Sequence, residues 1–599
     1  MKNTVKKLVV ICSMAAAALP ACRKPLFVVP VEFKSAEDVF TDSARAEYFI
    51  NNAYTDMPAD VAGSFNWLDG NAMLASASDE AMHVSTNKTA PSAAQRMSAG
   101  NWNPSNMRYY RASDGAGEIG SWLKWGGYHG NRKANTALKN VHLLPANTTQ
   151  RFRDRIKGEA LFIRAMHHWF LFQKWGGIPV VDKSFEASDD VRQPRNAVRT
   201  VVDFIVRSCD EAYALLPEEP YTAPSEVGRA DRGSCMALKA RVLLYAASPL
   251  YNQAGPDSLT SYGHEDATRW QLAAKAAQAV VDLGWYQLYK PSTTGQRNYQ
   301  ELFNAWGAGN SNREYIFARL RTPNRDTEND NFPAGFTNAK GGTCPSQDLV
   351  DAYEMEDGTL FSWNNATQAA NPYQKRDPRF YASIIYNGAK YAKFANKTNY
   401  TFQTYTGGEN AQGLAKTETS YYLMKFMDYA NVNPAQGTGS AYHNWPYFRY
   451  AEVLLNLAEA GNEAGGPAYV VPGAVNALSP VAAINLIRAR VGMPDVQTTL
   501  ARRGQPLDQA SLRELIRNER RIELAFEDHR YYDVRRWMII EQLPKFIRGC
   551  TITRESNGSF TYNPNVVVEN KVFEPKHYFF PIPQTEVNRN QNMQQNPGW

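Results

Sequence analysis

A mainly α-helical fold, built as stacked helix pairs and interrupted by two long loop-rich insertions, is what this 599-residue sequence predicts. Three observations point there. Segments with helical period recur along the chain, strand-like runs are few and short, and two stretches turn rich in Ser, Asn, Gly and aromatic residues without any period.

In chain order, Lys2, Lys6 and Lys7 followed by the apolar run Leu8 to Ala18 read as a secretory signal, because the run is too short to span a membrane. It ends in Leu19-Pro20-Ala21-Cys22, which resembles a bacterial lipobox. Residues 1–21 are therefore expected to be removed, with Cys22 lipidated as the first mature residue. Residues 35–56 open with Ser35 as an N-cap and Glu37-Asp38 in the first turn, where acidic side chains suit the positive helix end. Similar patterns cover 120–143, 150–175, 195–216, 231–250 and 266–283, then 446–464, 478–491 and 508–541. The insertions lie at about 60–118 and 286–440, with small hairpins expected inside them, and an irregular segment is expected to run from 542 to Trp599. Helix pairs with short connections are the signature of a helical-repeat scaffold, although no repeat is visible as sequence identity.

Composition narrows the function. Lys+Arg 65 against Asp+Glu 59 is a small excess, and three of the lysines lie in the leader, so nucleic acid is not an expected partner. Aromatic content is the unusual feature: 32 Tyr outnumber 27 Phe, beside 13 Trp, so many rings carry a polar handle suited to half-wet surfaces. Cys209, Cys235, Cys344 and Cys550 have no CxxC spacing and read as small buried hydrophobes rather than a zinc or dithiol site. The adjacent His167 and His168 point to different faces of a helix, and no other histidine has metal-ligand spacing. Gly115 to Gly120 spells GxGxxG, but the preceding Arg111-Ala112-Ser113-Asp114 is no buried strand. Asp326, Glu328 and Asp330 alternate as in a calcium loop, yet Asn331 stands in place of its glycine, so solvated loop charge is expected. No cofactor and no metal are expected.

The most informative stretch is Ser511 to Trp537. Leu512, Leu515, Ile516 and Ile522 form an inward stripe that Glu519 shares, so its charge requires a buried partner, with Arg488, Arg490, Arg535 and Arg536 as candidates. A structural ion network, rather than a binding carboxylate, is the reading preferred for Glu519.

Five motifs in order carry a resemblance: Gly158 to Ala165 (GEALFIRA) with Trp175-Gly176-Gly177-Ile178-Pro179; Arg449 to Ala460 (RYAEVLLNLAEA); Ile487 to Gly492 (IRARVG); Glu519 to Leu524 (ERRIEL); and the ending Gln595-Asn596-Pro597-Gly598-Trp599. Together they resemble the SusD/RagB family of nutrient-binding surface lipoproteins of Bacteroidetes. The resemblance spans 22–599 as one SusD-like domain, with an N-terminal part at about 22–230 and a C-terminal part at about 290–599. It implies four tetratricopeptide-like helix pairs. Two departures stand out: Asp528 occupies a position where the family usually has Gly, and Arg23-Lys24-Pro25 follows Cys22 where acidic residues are usual.

What the resemblance implies is non-catalytic binding of a polysaccharide or oligosaccharide and its delivery to a SusC-like TonB-dependent transporter, from a lipid anchor in the outer membrane. Peptide capture and a surface glycoside hydrolase are the alternatives. A sugar ring needs a flat aromatic for its C–H face and amides, carboxylates or guanidinium groups for its hydroxyl rim. Trp67, Asp69, Asn101, Trp102 and Tyr109 in the first insertion, with Trp306, Arg319 and Phe332 in the second, are the expected ligand contacts. Trp169, Trp175, Trp285, Trp537 and Trp599 are expected to pack rather than bind.

Overall fold

The structure is a computed structural model that describes residues 35–57, 73–84, 91–106, 128–223, 225–255, 257–304 and 312–599. The signal segment and Cys22 lie outside the described residues. The main helices are α1 (Ser43–Tyr54), α2 (Tyr128–Asn140), α3 (Gln150–Trp175), α4 (Val198–Leu215), α5 (Arg232–Ala247), α6 (Thr268–Asp282), α7 (Gly295–Asn304), α8 (Tyr450–Gly465), α9 (Pro480–Val491), α10 (Gln509–Glu523) and α11 (Arg530–Arg536). The chain is mainly α.

Four helix pairs form the scaffold: α2 with α3, α4 with α5, α6 with α8, and α9 with α10. Each of the first five helices of this stack packs on the next, and α8 then contacts both α9 and α10. The third pair joins helices on either side of the second insertion, so that insertion leaves the stack at Asp282 and re-enters it at Tyr450. Helix α3 shows how sequence drives the stack. Thr149 caps its first turn through Phe152 N–H, Gly176 at φ 72° ends it, and nearly every residue from Gly158 to Trp175 is buried. A helix buried all round has to sit between neighbours, and α2 and α4 flank it.

Shorter helices and five two-stranded antiparallel ribbons complete the regular structure of the described residues. The strands are β1 (Ala81–Val84), β2 (Tyr315–Arg319), β3 (Gly342–Pro345), β4 (Ile384–Ile385), β5 (Lys390–Phe394), β6 (Lys397–Thr401), β7 (Tyr422–Leu423), β8 (Trp445–Arg449), β9 (Phe546–Arg554) and β10 (Phe560–Asn570). Two pairings are long-range ties: β1 with β3 joins the two insertions, and β2 with β8 closes the base of the second.

Two expectations are corrected. The segment after 541 is not irregular, since β9 and β10 form the longest hairpin of the structure, turned at Gly558 with φ 86°. Residues 508–541 are not one helix. Phe526 and Asp528 both sit at φ 63°, in the left-handed region, and the chain breaks between α10 and α11. Asp tolerates this conformation better than most residues, because its short polar side chain bonds locally, which accounts for a non-glycine at 528.

Candidate functional site

The β2–β8 ribbon is held from behind by charge. Arg449, the last residue of β8, reaches Glu523 at 2.6 Å, Glu527 at 2.7 Å and Glu314 at 2.9 Å, all fully or nearly fully buried. Arg490 bonds Glu523 at 2.6 Å, and Arg379 bonds Glu519 at 2.6 Å and Asp377 at 2.7 Å. Burial alone would push the Glu523 carboxyl up; Arg490, Arg449 and Arg379 outweigh it and hold it well below the usual carboxylate range. Glu519 thus belongs to a buried lattice, with Arg488 at 2.8 Å as expected and Arg379 as a partner that came from the insertion. Arg490 pairs with Glu523 and Glu314 instead, while Arg536 serves Glu459 and Asp533.

The other end of this ribbon carries Arg319. Arg319 lies opposite Trp445, and Arg321 N–H donates to Asn444 Oδ1 at 2.7 Å. Arg319 Nη1 donates to the Met57 carbonyl, where the segment carrying Trp67 and Asp69 departs. Asn304 Nδ2 donates to the Met427 carbonyl at 2.9 Å, where the segment carrying Trp306 departs. Phe303 meets Phe426 at 4.9 Å, and Phe426 in turn stacks on Trp445 at 5.9 Å, which fixes this second departure point to the ribbon. Burial holds the Tyr447 phenol high against the opposing pull of Arg319 and Arg321, so it stays protonated. The half-buried Arg319 and Arg321 are the donors this end offers to an oxygen-rich ligand, since Trp445 and Tyr447, 6% and 4% exposed, pack inside the ribbon.

The sequence-predicted residues are distributed as follows. Trp67, Asp69, Tyr109 and Trp306 lie outside the described residues. Arg319 is at the ribbon end. Asn101 is exposed, just after the short helix Ala93–Ser98. Trp102 is 5% exposed, stacked on His577 at 5.1 Å and edge-on to Trp599 at 5.0 Å, so it offers no open face to a sugar. Phe332 is fully buried among Phe336, Phe394 and Tyr429 and likewise packs. The expectation of sugar contact for these two rings is corrected by their packing. No described contact joins Asn101 to the ribbon end. Trp445, Tyr447 and Asn444, all buried, shape the ribbon end from within and escaped sequence reading; the aromatic pair Trp445-Pro446-Tyr447 immediately before the RYAEVLLNLAEA helix is the signal that could have found them.

Glu328 is not solvated loop charge. It is buried, accepts Asp428 N–H at 2.9 Å and lies 2.9 Å from His443 Nε2. His167 and His168 are both fully buried, and desolvation pushes their pKa values down to about 3 and about 4. Among the described residues, no group of three or more His, Cys, Asp or Glu side chains is placed to hold a metal ion, and no helix is long and apolar enough to cross a membrane. Cys209, Cys235, Cys344 and Cys550 are buried and unpaired.

Comparison with known proteins places this geometry among relatives. The profile described as "SusD family" matches residues 303–599, and one described as "Starch-binding associating with outer membrane" matches 47–244. SusD-like protein P25 of Formosa agariphila is 35% identical over 465 residues, which are 76% of this chain and 75% of the relative. SusD-like protein P38 of the same organism is 24% identical over 433 residues, 70% of this chain and 73% of its own. Among solved structures, a SusD-like protein of Bacteroides fragilis superposes with TM-score 0.72 at 27% identity, covering 94% of this chain and 100% of that one. A protein titled "Laminarin binding SusD-like protein" superposes with TM-score 0.59 at 19% identity over 94% of this chain and 100% of its own, a likeness of fold.

Proposed function

Because this chain belongs to the SusD family, we propose that it captures glycans at the cell surface and passes them, uncleaved, to a SusC-like TonB-dependent transporter of the outer membrane. The observation that carries this reading is the family match at both ends of the chain, 47–244 and 303–599. The starch-binding description of the N-terminal profile and the laminarin-binding title of one structural relative support a glycan as the ligand. The single domain from Cys22 to Trp599 is moored by the lipid on Cys22.

The ligand face is the ribbon end bearing Arg319 and Arg321, together with the segments that leave beside it and carry Trp67, Asp69 and Trp306. Ring stacking supplies modest affinity per sugar and the guanidinium groups fix the hydroxyl rim, so several subsites summed along one chain give useful retention. Native affinity gels with laminarin and with starch test it. Retardation by one polysaccharide, weakened in Arg319→Ala and Trp306→Ala, with no shorter products in the gel after incubation, is the expected result. Release of oligosaccharides that one carboxylate substitution abolishes would establish the hydrolase reading instead.

A further inference from the structure

Behind the ribbon, on the scaffold side, the structure holds a cleft of about 290 Å³ that the ligand face does not use. Its walls come from the α4–α5 connection, the chain after α6, and β2 from Tyr315 to Ala318 with Asn312 and Arg313 ahead of it. Trp285 and Tyr221, both half-buried, line it, and Tyr286 is seated deeper. Tyr286 reaches that position because Gly233 lacks a side chain: a Cβ there would stand 1.9 Å from its hydroxyl.

The charges lining the cleft are already spent. Asp231 caps α5, accepting Ser234 N–H at 2.7 Å and the Tyr286 hydroxyl at 3.2 Å. Arg229 is bound by Glu47 at 2.8 Å, Glu226 at 2.9 Å and Glu159 at 3.2 Å. At the rim stand one exposed cation, Arg313, and one exposed anion, Glu219. Arg313 is fixed beside the indole, since its Nε donates to the Trp285 carbonyl and its Nη2 to the Gly284 carbonyl at 3.1 Å. A site without net charge, with ring walls and a held guanidinium, and at the lower edge of the roughly 300–1,000 Å³ range of small-molecule sites, suits a neutral polyhydroxylated ring. It is too small for an extended glycan.

We propose that this cleft is a second saccharide site, separate from the ribbon-end face, which takes a single neutral pyranose with its C–H face on Trp285 and its hydroxyls toward Arg313. The inference goes beyond the proposed function and does not need the ligand face to be correctly assigned. A branch or terminal sugar held here would add to retention of a polymer bound elsewhere on the protein.

Saturation-transfer NMR on the purified full chain, with D-glucose, D-galactose, D-mannose and N-acetyl-D-glucosamine as separate millimolar probes, tests it. At least one sugar is expected to receive transfer. Trp285→Ala is expected to abolish the signal and Arg313→Ala, a rim change remote from the core, to weaken binding about tenfold, with an unchanged circular dichroism spectrum for Arg313→Ala. Trp306→Ala is expected to leave the monosaccharide signal intact while weakening retention by polysaccharide. The proposal is overturned if none of the four sugars receives transfer, if both cleft variants bind as the parent does, or if Trp306→Ala removes the monosaccharide signal. Failure of the ligand face reads out separately, as polysaccharide retention that Trp306→Ala and Arg319→Ala leave unaltered.

Discussion

Arg449 Nη1 lies 2.6 Å from Glu523 Oε1, both fully buried, and this bond joins the last residue of β8 to the last residue of α10. Arg490 and Arg379 converge on the same carboxylate at 2.6 and 3.0 Å. Removing the anion leaves three buried cations to share one carboxylate fewer, so Glu523→Gln is expected to destabilise the fold by about 3–5 kcal/mol. Urea denaturation measures this. Polysaccharide affinity per folded molecule should stay constant, and the same holds for Glu519→Gln.

Asp79 takes Arg530 at 2.8 Å and Arg521 at 3.1 Å, whereas the neighbouring Glu80, equally buried, is no closer than 3.8 Å to Arg521. Burial therefore dominates at Glu80 and pushes its pKa from 4.5 up to about 7. A carboxyl raised in the folded state contributes its full stability below the unfolded value and loses it as pH rises through the folded one. Glu80→Gln, fixed neutral, should accordingly gain on the parent by up to about 3 kcal/mol between about pH 4 and about pH 8. Chemical denaturation of both proteins across that range would show a constant difference if the idea were wrong.

Gly130 in α2 faces His167 of α3 so closely that a Cβ would stand 2.0 Å from Nε2. His167 is sealed in the core and has nowhere to swing. Gly130→Ala should cost about 1–3 kcal/mol by overpacking, read as a lower unfolding midpoint without loss of ligand retention in the folded protein.

Trp102 and Trp306 should part company. Trp102→Ala removes a ring packed on His577, Phe580 and Trp599, and a loss of about 3–5 kcal/mol of stability is expected. Trp306→Ala should weaken polysaccharide retention. Thermal scans beside affinity gels separate the two; equal behaviour of both variants in both assays would falsify the assignment.

The helix pairs were legible because their information is local. Thr149, the apolar run through Phe162 and Trp169, and Gly176 announce α3 within one stretch of chain, and the inward stripe of Leu512, Leu515 and Ile516 places Glu519 in the core. What escaped is non-local. Trp102 looks like a platform between two amides until Trp599 and His577 arrive from the far end of the sequence. Arg379 could not be named as the partner of Glu519, because nothing in an insertion without period says which helix it will meet. The β9–β10 hairpin was missed although Asn557-Gly558 marks its turn, since two register shifts break the alternation that identifies a strand. Trp285 packs against the core, as its place beside a helix implies, and keeps part of its surface open next to the turn at Gly284, φ 68°.

The division of the third helix pair has a temporal consequence. Helix α6 is synthesised long before α8, so that although α5 is already there to pack on one side of it, the part of its buried surface that packs on α8 lacks that cover until the whole second insertion has been threaded. Closing so long a loop is slow, because chain entropy must be surrendered before the contacts that reward it form. A half-molecule ending before Tyr450 would therefore present a sticky ledge along α6, a defined segment on which holding chaperones can act.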